Sequence, residues 1–345
     1  MTVRRNEMNR FNLPIPQRSV PHDTPMNAKE AISPAATEFL RPPKGAPNVL
    51  IVLIDDMGFG ASSAFGGPCE MPTAERMAHE GLQLTRFHTT ALCSPTRQAL
   101  LTGRNHHTVN MGGITEIATG FPGNTGIRPD SCATIAQTLK LNGYSTGAFG
   151  KMHQTPAWES SPSGPFDRWP TGDGFEKFYG FLGGDSNQYV PPLIDGVTQI
   201  DPPKSPEEGY HLSEDLADQV INWTASLHSL TPDKPWFCYL SFGATHAPHH
   251  APDEWIKKYK GKFDHGHDRQ REITFEKQKE LGVIPPDAEL TERTDWLPDW
   301  EELSDDEKTV SLRLMETYAA MASHTDHQVG RLLDALEARG VLDDT

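Results

Sequence analysis

Apolar runs alternate along this chain with stretches whose apolar residues recur at helical spacing, a pattern that predicts buried strands joined by amphipathic helices. Val49-Leu50-Ile51-Val52-Leu53-Ile54 is unbroken and rich in β-branched residues, as expected of a central parallel strand buried on both faces. Pro235 to Phe242 repeats that pattern, Tyr144 to Phe149 is a shorter version, and a further strand is expected over Leu82 to His88. Helices are expected over Pro72 to Glu80, from Cys93 through Leu101, and over Ser131 to Asn142, the last with Ser131 as cap and Gly143 as stop. His211 to Leu227 carries Leu212, Leu216, Val220 and Trp223 on one face, and Leu312 to Leu336 carries Leu312, Met315, Ala319, Ala322, Val329, Leu332 and Leu333. Both stripes read as core packing. Asp253 to Asp306 is charged and proline-punctuated without a clean period, an excursion from the sheet. The alternation predicts an α/β fold, a mixed, largely parallel central sheet flanked by helices on both faces. Residues 1–44, rich in proline and polar side chains, read as an arm ahead of a domain over 45–345.

Composition narrows the partners. The 345 residues can bury a sizeable core as one large domain or two smaller ones. Acidic residues outnumber basic ones 47 to 31, a formal net charge of −16, which argues against nucleic acid and gives no help in attracting an anion. Any anion site must therefore be locally positive. The four cysteines, Cys69, Cys93, Cys132 and Cys238, show no C-x-x-C spacing, so neither a zinc ribbon nor a disulfide framework is indicated. Arg4-Arg5 begins like a twin-arginine signal, but Asn6, Glu7, Asn9, Arg10 and Asn12 interrupt any apolar segment behind it. No run approaches the roughly 18 apolar residues of a membrane span. The expectation is a soluble, cytoplasmic protein with no membrane partner.

Candidate chemistry gathers at strand ends. Cys93-Ser94-Pro95-Thr96-Arg97 places a thiol at a helix start, with Pro95 fitting the first turn. On residues alone this is either a nucleophile activated by the helix dipole and Arg97, or an inert cysteine. Asp55-Asp56-Met57-Gly58 follows the first strand and is either a site for a hard divalent cation or a solvated turn. Lys151 and His153 follow the Tyr144 strand two residues apart, on one face if that strand continues. His246, His249 and His250 follow the Pro235 strand and at first sight suggest a transition-metal site. His106-His107 reads as structural. Phe166 to Pro170 and Gly180 to Asp185 shape either a substrate wall or an irregular surface loop.

Cys93-x-Pro95-Thr96-Arg97-x-x-Leu100-x-x-Gly103 resembles the signature of type I sulfatases, arylsulfatase-like members of the alkaline phosphatase superfamily. Gly143-Tyr144-x-Thr146-x-x-x-Gly150-Lys151-x-His153 is similar to a second element of that family, with Met152 in place of its usual Trp. The resemblance implies that Cys93 is oxidised to Cα-formylglycine by a maturation enzyme. It also implies that Asp55, Asp56 and residue 93 bind Ca2+, with Mg2+ the less expected ion. By the same resemblance Arg97 orients the formylglycine hydrate, Lys151 binds the sulfate and His153 contacts the hydrate. The single family His before x-Pro maps to His246, at the scissile ester oxygen, which leaves His249 and His250 as lining or surface residues. The implied substrate is a small-molecule sulfate ester. The chain departs from the family pattern by stopping before the Asp-Asn strand that supplies further calcium ligands. The expectation is therefore about the first half of a longer enzyme, incomplete in its sheet and inactive or nearly so as it stands. The alternatives are a phosphonate or phosphate monoester hydrolase of the same superfamily, or a pseudoenzyme that only holds a sulfated ligand.

Overall fold

The computed structural model describes residues 25–31 and 40–345. The chain divides into two units, 1–40 and 41–345. The described part of the first holds one 3-10 turn, Ala28–Glu30. Most of the expected arm, with Arg4-Arg5, lies outside the described residues.

The second unit is built on six strands. In chain order they are β1 (Val49–Leu53), β2 (Ser145–Lys151), β3 (Lys177–Phe181), β4 (Leu193–Asp195), β5 (Thr198–Ile200) and β6 (Trp236–Ser241). They lie in the order β1-β6-β2-β3-β4-β5. The first three pairings are parallel and the last two antiparallel, so the expected mixed, largely parallel sheet is present. The helices are α1 (Pro72–Glu80), α2 (Cys93–Thr102), α3 (Ile135–Leu141), α4 (Leu212–Leu230), α5 (Asp253–Tyr259), α6 (Gly266–Glu280) and α7 (Asp305–Ala338). No described helix is long and apolar enough to cross a membrane.

Successive side chains of a strand point to opposite faces, and here both faces are covered. Phe149, Cys238 and Leu240 pack into one core with Leu216 and Val220 of α4 and Leu332 and Leu336 of α7. Ala148, Phe237 and Tyr239 pack into a second core with Leu101 of α2, Ala136 of α3 and Phe175. That two-sided burial is why β6 reads as an unbroken apolar run, each large side chain contributing roughly 1.5–3 kcal/mol.

Several elements differ from expectation. β1 lies at a sheet edge among the described strands, with all five residues half-buried, because β6 is its only pairing neighbour. Leu82 to His88 forms no strand; Leu82, Leu84 and Phe87 are exposed and no sheet edge takes up their backbone bonds. α3 starts at Ile135, not at Ser131, because the Thr134 hydroxyl accepts the Gln137 N–H at 3.0 Å. The aromatic side chains of the 166–185 stretch pack into the core. Trp169 is 1% exposed, packed edge-on to Phe166 with its indole N–H on the Glu159 carbonyl at 2.7 Å, and Lys177–Phe181 is β3 itself. The 253–306 excursion contains α5 and α6; α6 buries only Gly266 and Gln278, so it has no apolar stripe to betray it. α7 begins seven residues before Leu312 because Ser304 and Glu307 form a capping box.

One glycine sets the approach of strands to the site. Gly150 has φ +100°, and a Cβ there would collide with the carbonyl oxygen of Ser241, its partner across β2 and β6. Gly150→Ala should therefore destabilise the fold by about 3 kcal/mol or more, read as a lowered urea midpoint. An unchanged midpoint would contradict this packing.

Candidate active site

The carboxyl ends of β1, β6 and β2 converge on one side chain. Asp55, just past β1, is held by backbone bonds that extend the β1–β6 ladder: its N–H donates to Ala244 O at 2.9 Å and its carbonyl accepts Thr245 N–H at 2.7 Å. Its carboxylate is buried and accepts from Arg97 Nη2 at 3.0 Å and from Lys151 Nζ. Arg97 is 1% exposed and Lys151 fully buried. Arg97 also donates to Lys151 O at 2.9 Å and to Ser241 Oγ, so one guanidinium of α2 ties the ends of all three strands together. Two buried cations around one buried anion leave a local positive excess inside a chain of net charge −16.

Cys93 is the first residue of α2, and Thr96 anchors that end by accepting the Thr90 N–H at 3.3 Å. The half-exposed thiol opens into a cavity of about 330 Å3 lined also by Asp55, Asp56, Thr96 and Arg97, with Leu53, Ile54, Met57 and Leu92 as apolar walls. The helix N-terminus adds partial positive charge there. Asp56 is exposed and held at φ +52°, with its carbonyl taken by Thr245 Oγ1 at 3.3 Å and Tyr318 OH at 3.0 Å. His246 Nε2 lies 3.5 Å from its carboxylate. Among the described residues, Asp55, Asp56 and His246 form the one group whose metal-ligating atoms lie within 4.8 Å of one another. Cys93 shares the cavity but falls outside that group.

Lys151 ends β2, and His153 does not continue the strand: its φ is +49°, although the N–H groups of Met152 and His153 still reach Phe181 O and Leu182 O at 3.1 Å. The ring is buried, with Nε2 at 2.8 Å from Glu116 Oε2 and Nδ1 without a partner. Burial lowers the His153 pKa; Glu116 opposes this, while Lys151 and Arg97 reinforce it. This direction favours the neutral imidazole, with Nε2 facing the carboxylate.

Five other histidines, His106, His107, His211, His249 and His250, each pack against or hydrogen-bond a neighbour. His211 caps α4, accepting the Ser213 N–H at 3.2 Å on Nδ1 and donating Nε2–H to His250 O at 3.0 Å, which pins the loop that carries His246. His249 stands edge-on to Tyr318, and His250 stacks on Tyr189. His106 and His107 pack on each other. Sequence reasoning missed Glu116, Ser241, Thr245 and Tyr318, none of which sits in a motif; Ser241 alone carried a signal, as the residue ending the β6 run.

The Sulfatase family model matches residues 47–345. The chain is 34% identical over 327 residues to an uncharacterized sulfatase of Schizosaccharomyces pombe, covering 87% of this chain and 56% of that one. It is 29% identical over 304 residues to an arylsulfatase of Klebsiella aerogenes, covering 85% and 63%. The chain thus spans 56% and 63% of the length of these two relatives. Its fold is shared with the PsFucS1 sulfatase from Pseudoalteromonas sp. (TM-score 0.57, 20% identity, covering 87% and 54%). It is shared also with the phosphonate monoester hydrolase of Agrobacterium radiobacter (TM-score 0.52, 22% identity, covering 87% and 61%).

Burial, with His324 next to it, pushes the His211 pKa down to about 4 from 6.5. The unfolded chain takes up this proton first on acidification, so stability falls as pH drops from about 6.5 to about 4 and levels below that, by on the order of 3 kcal/mol. Urea midpoints at pH 7 and pH 4.5 should show this loss, and His211→Asn, which keeps a capping acceptor, should show less of it. Equal losses in both proteins would contradict the assignment.

Proposed function

The chain belongs to the sulfatase family, and from that premise we propose that the protein hydrolyses sulfate esters, an aryl sulfate giving a phenol and inorganic sulfate, with the nucleophile carried at position 93. The observation that carries this reading is the buried Asp55–Arg97–Lys151 cluster behind a cavity onto which Cys93 opens from a helix N-terminus. Anion binding there is favoured by the excess of cations and by the helix end, against the global charge.

The donors present fit a hard divalent cation. Asp55 and Asp56 offer carboxylate oxygens beside residue 93, which suits Ca2+ and, with its stricter octahedral demand, Mg2+ less well. The imidazole of His246 is a softer donor than calcium prefers, so His246 is better assigned to substrate. When present, the ion supplies positive charge for the sulfate oxygens, and a formylglycine made from Cys93 supplies the oxygen that attacks sulfur.

The side chains of this chain do the rest. Lys151 has three N–H donors, one engaged by Asp55, and the others serve the sulfate. Arg97, fixed on three strand ends, holds Asp55 and the start of α2 in register, so that residue 93 faces the bound ester. His246, whose Nε2 lies 3.5 Å from the Asp56 carboxylate, donates a proton to the departing phenol oxygen. His153, buried and neutral, accepts a proton released at position 93. The small-molecule partner is a sulfate ester, and a formylglycine-generating maturation enzyme is the macromolecular one.

The whole protein, expressed with such an enzyme and supplied with calcium, should turn over an aryl sulfate, and Cys93→Ala should lower that turnover by ~1000-fold or more. Undiminished turnover in the variant would overturn the reading. A preference for a phosphonate monoester over the aryl sulfate would move the assignment to that chemistry.

A further inference from the structure

We propose that Glu116 is a positioning residue, which holds the His153 ring so that Nε2 carries the hydrogen and Nδ1 is the free basic nitrogen of the site. The proposal rests on the sulfatase reading only for what Nδ1 acts on.

An ionised carboxylate is acceptor-only, so at 2.8 Å from Glu116 Oε2 the nitrogen Nε2 must bear the hydrogen. The lone pair then lies on Nδ1, which is buried and has no partner among the described residues. An unpaired buried acceptor is unfavourable, and the backbone packed around the ring holds it in that position. The left-handed backbone at His153 sets the direction of the side chain. Gly184 lies against the ring: a Cβ there would fall 2.7 Å from the ring Cε1, so the ring occupies space that only glycine leaves open.

Glu116 is itself held. It sits in a 3-10 turn, Thr115–Ile117, and the hydroxyl of buried Thr115 donates to the same Oε2 at 3.1 Å. Partial burial raises the Glu116 pKa, but hydrogen bonds from His153, from its own backbone and from Thr115 pull it the other way, and the net direction is down. Glu116 is therefore ionised at neutral pH. Its side chain is 46% exposed against 3% for His153, so it acts on a buried ring from the rim, and it is not among the residues lining the cavity. The arrangement is that of a base oriented by a carboxylate, in which the carboxylate selects the tautomer.

Two readouts test this. In the long-range 1H–15N spectrum of the whole protein labelled with 15N-histidine, His153, assigned by its loss in His153→Asn, should show a protonated Nε2 and a bare Nδ1 at pH 7. A proton on Nδ1 would overturn the proposal with no reference to activity. In turnover, Glu116→Leu should lower kcat by 10- to 100-fold with KM little changed, and should shift the His153 nitrogens. Glu116→Gln, which keeps an acceptor at the same reach, should restore most of both. Wild-type kcat in Glu116→Leu would overturn the proposal, as would equal losses in the Leu and Gln variants when both unfold at the wild-type temperature. If the wild-type protein has no sulfatase activity, the proposed function fails, while the spectrum still decides whether Glu116 positions the ring.

Discussion

The carboxylate of Asp55 is the interaction on which the rest of the site depends. It is the anionic partner of two cations buried to 1% exposure or less, and either cation left alone would cost several kcal/mol of desolvation. Pairing alone would not require this layout; geometry does. Arg97 reaches Asp55 past β1, the Lys151 carbonyl at the end of β2 and Ser241 at the end of β6, so the three strand ends and α2 lock as one body. Residue 93 lies one turn before Arg97, and its position over the cavity follows from that lock. A helix start, a carboxylate pair and a buried lysine thus come to one place through a single hydrogen-bonded group.

Backbone strain collects around the same point. Asp56, Ala91 and His153 are three of the four described non-glycine residues with left-handed φ, and each lies in or beside the site. Such residues cost about 1–3 kcal/mol each and persist where the surroundings over-determine them. Hydrogen bonds beyond the strand ends do this: the Asp56 carbonyl accepts from the Thr245 and Tyr318 hydroxyls, and the His153 N–H donates to Leu182 O. The strain points carboxylate and imidazole where an unstrained strand would not.

Much of this was legible in the sequence, for identifiable reasons. The two-sided strands announced themselves because both faces of the sheet are covered, and Cys93, Arg97, Lys151 and His153 stood in contiguous motifs. Asp55 and Asp56 were legible because a doubled carboxylate followed a strand, where open α/β sheets bind ligands. What stayed hidden depends on distant contacts. Glu116 meets His153 across 37 positions, and Ser241 meets Arg97 across 144. Leu82 to His88 has strand composition but no neighbour to pair with, and α6 is a helix with almost no buried face. Trp169 looked like a ligand-facing aromatic, yet its indole N–H is satisfied inside the core.

If Cys93 is the precursor of the nucleophile, the mass of the peptide containing it must change on maturation. After expression with a formylglycine-generating enzyme, that peptide should be lighter by one sulfur and two hydrogens and heavier by one oxygen, and reactive toward an aldehyde probe. A Cys93 peptide that keeps its thiol, in cells where a control sulfatase is converted, would rule out the nucleophile at position 93 and leave the cavity as a site that holds a sulfated ligand without turning it over.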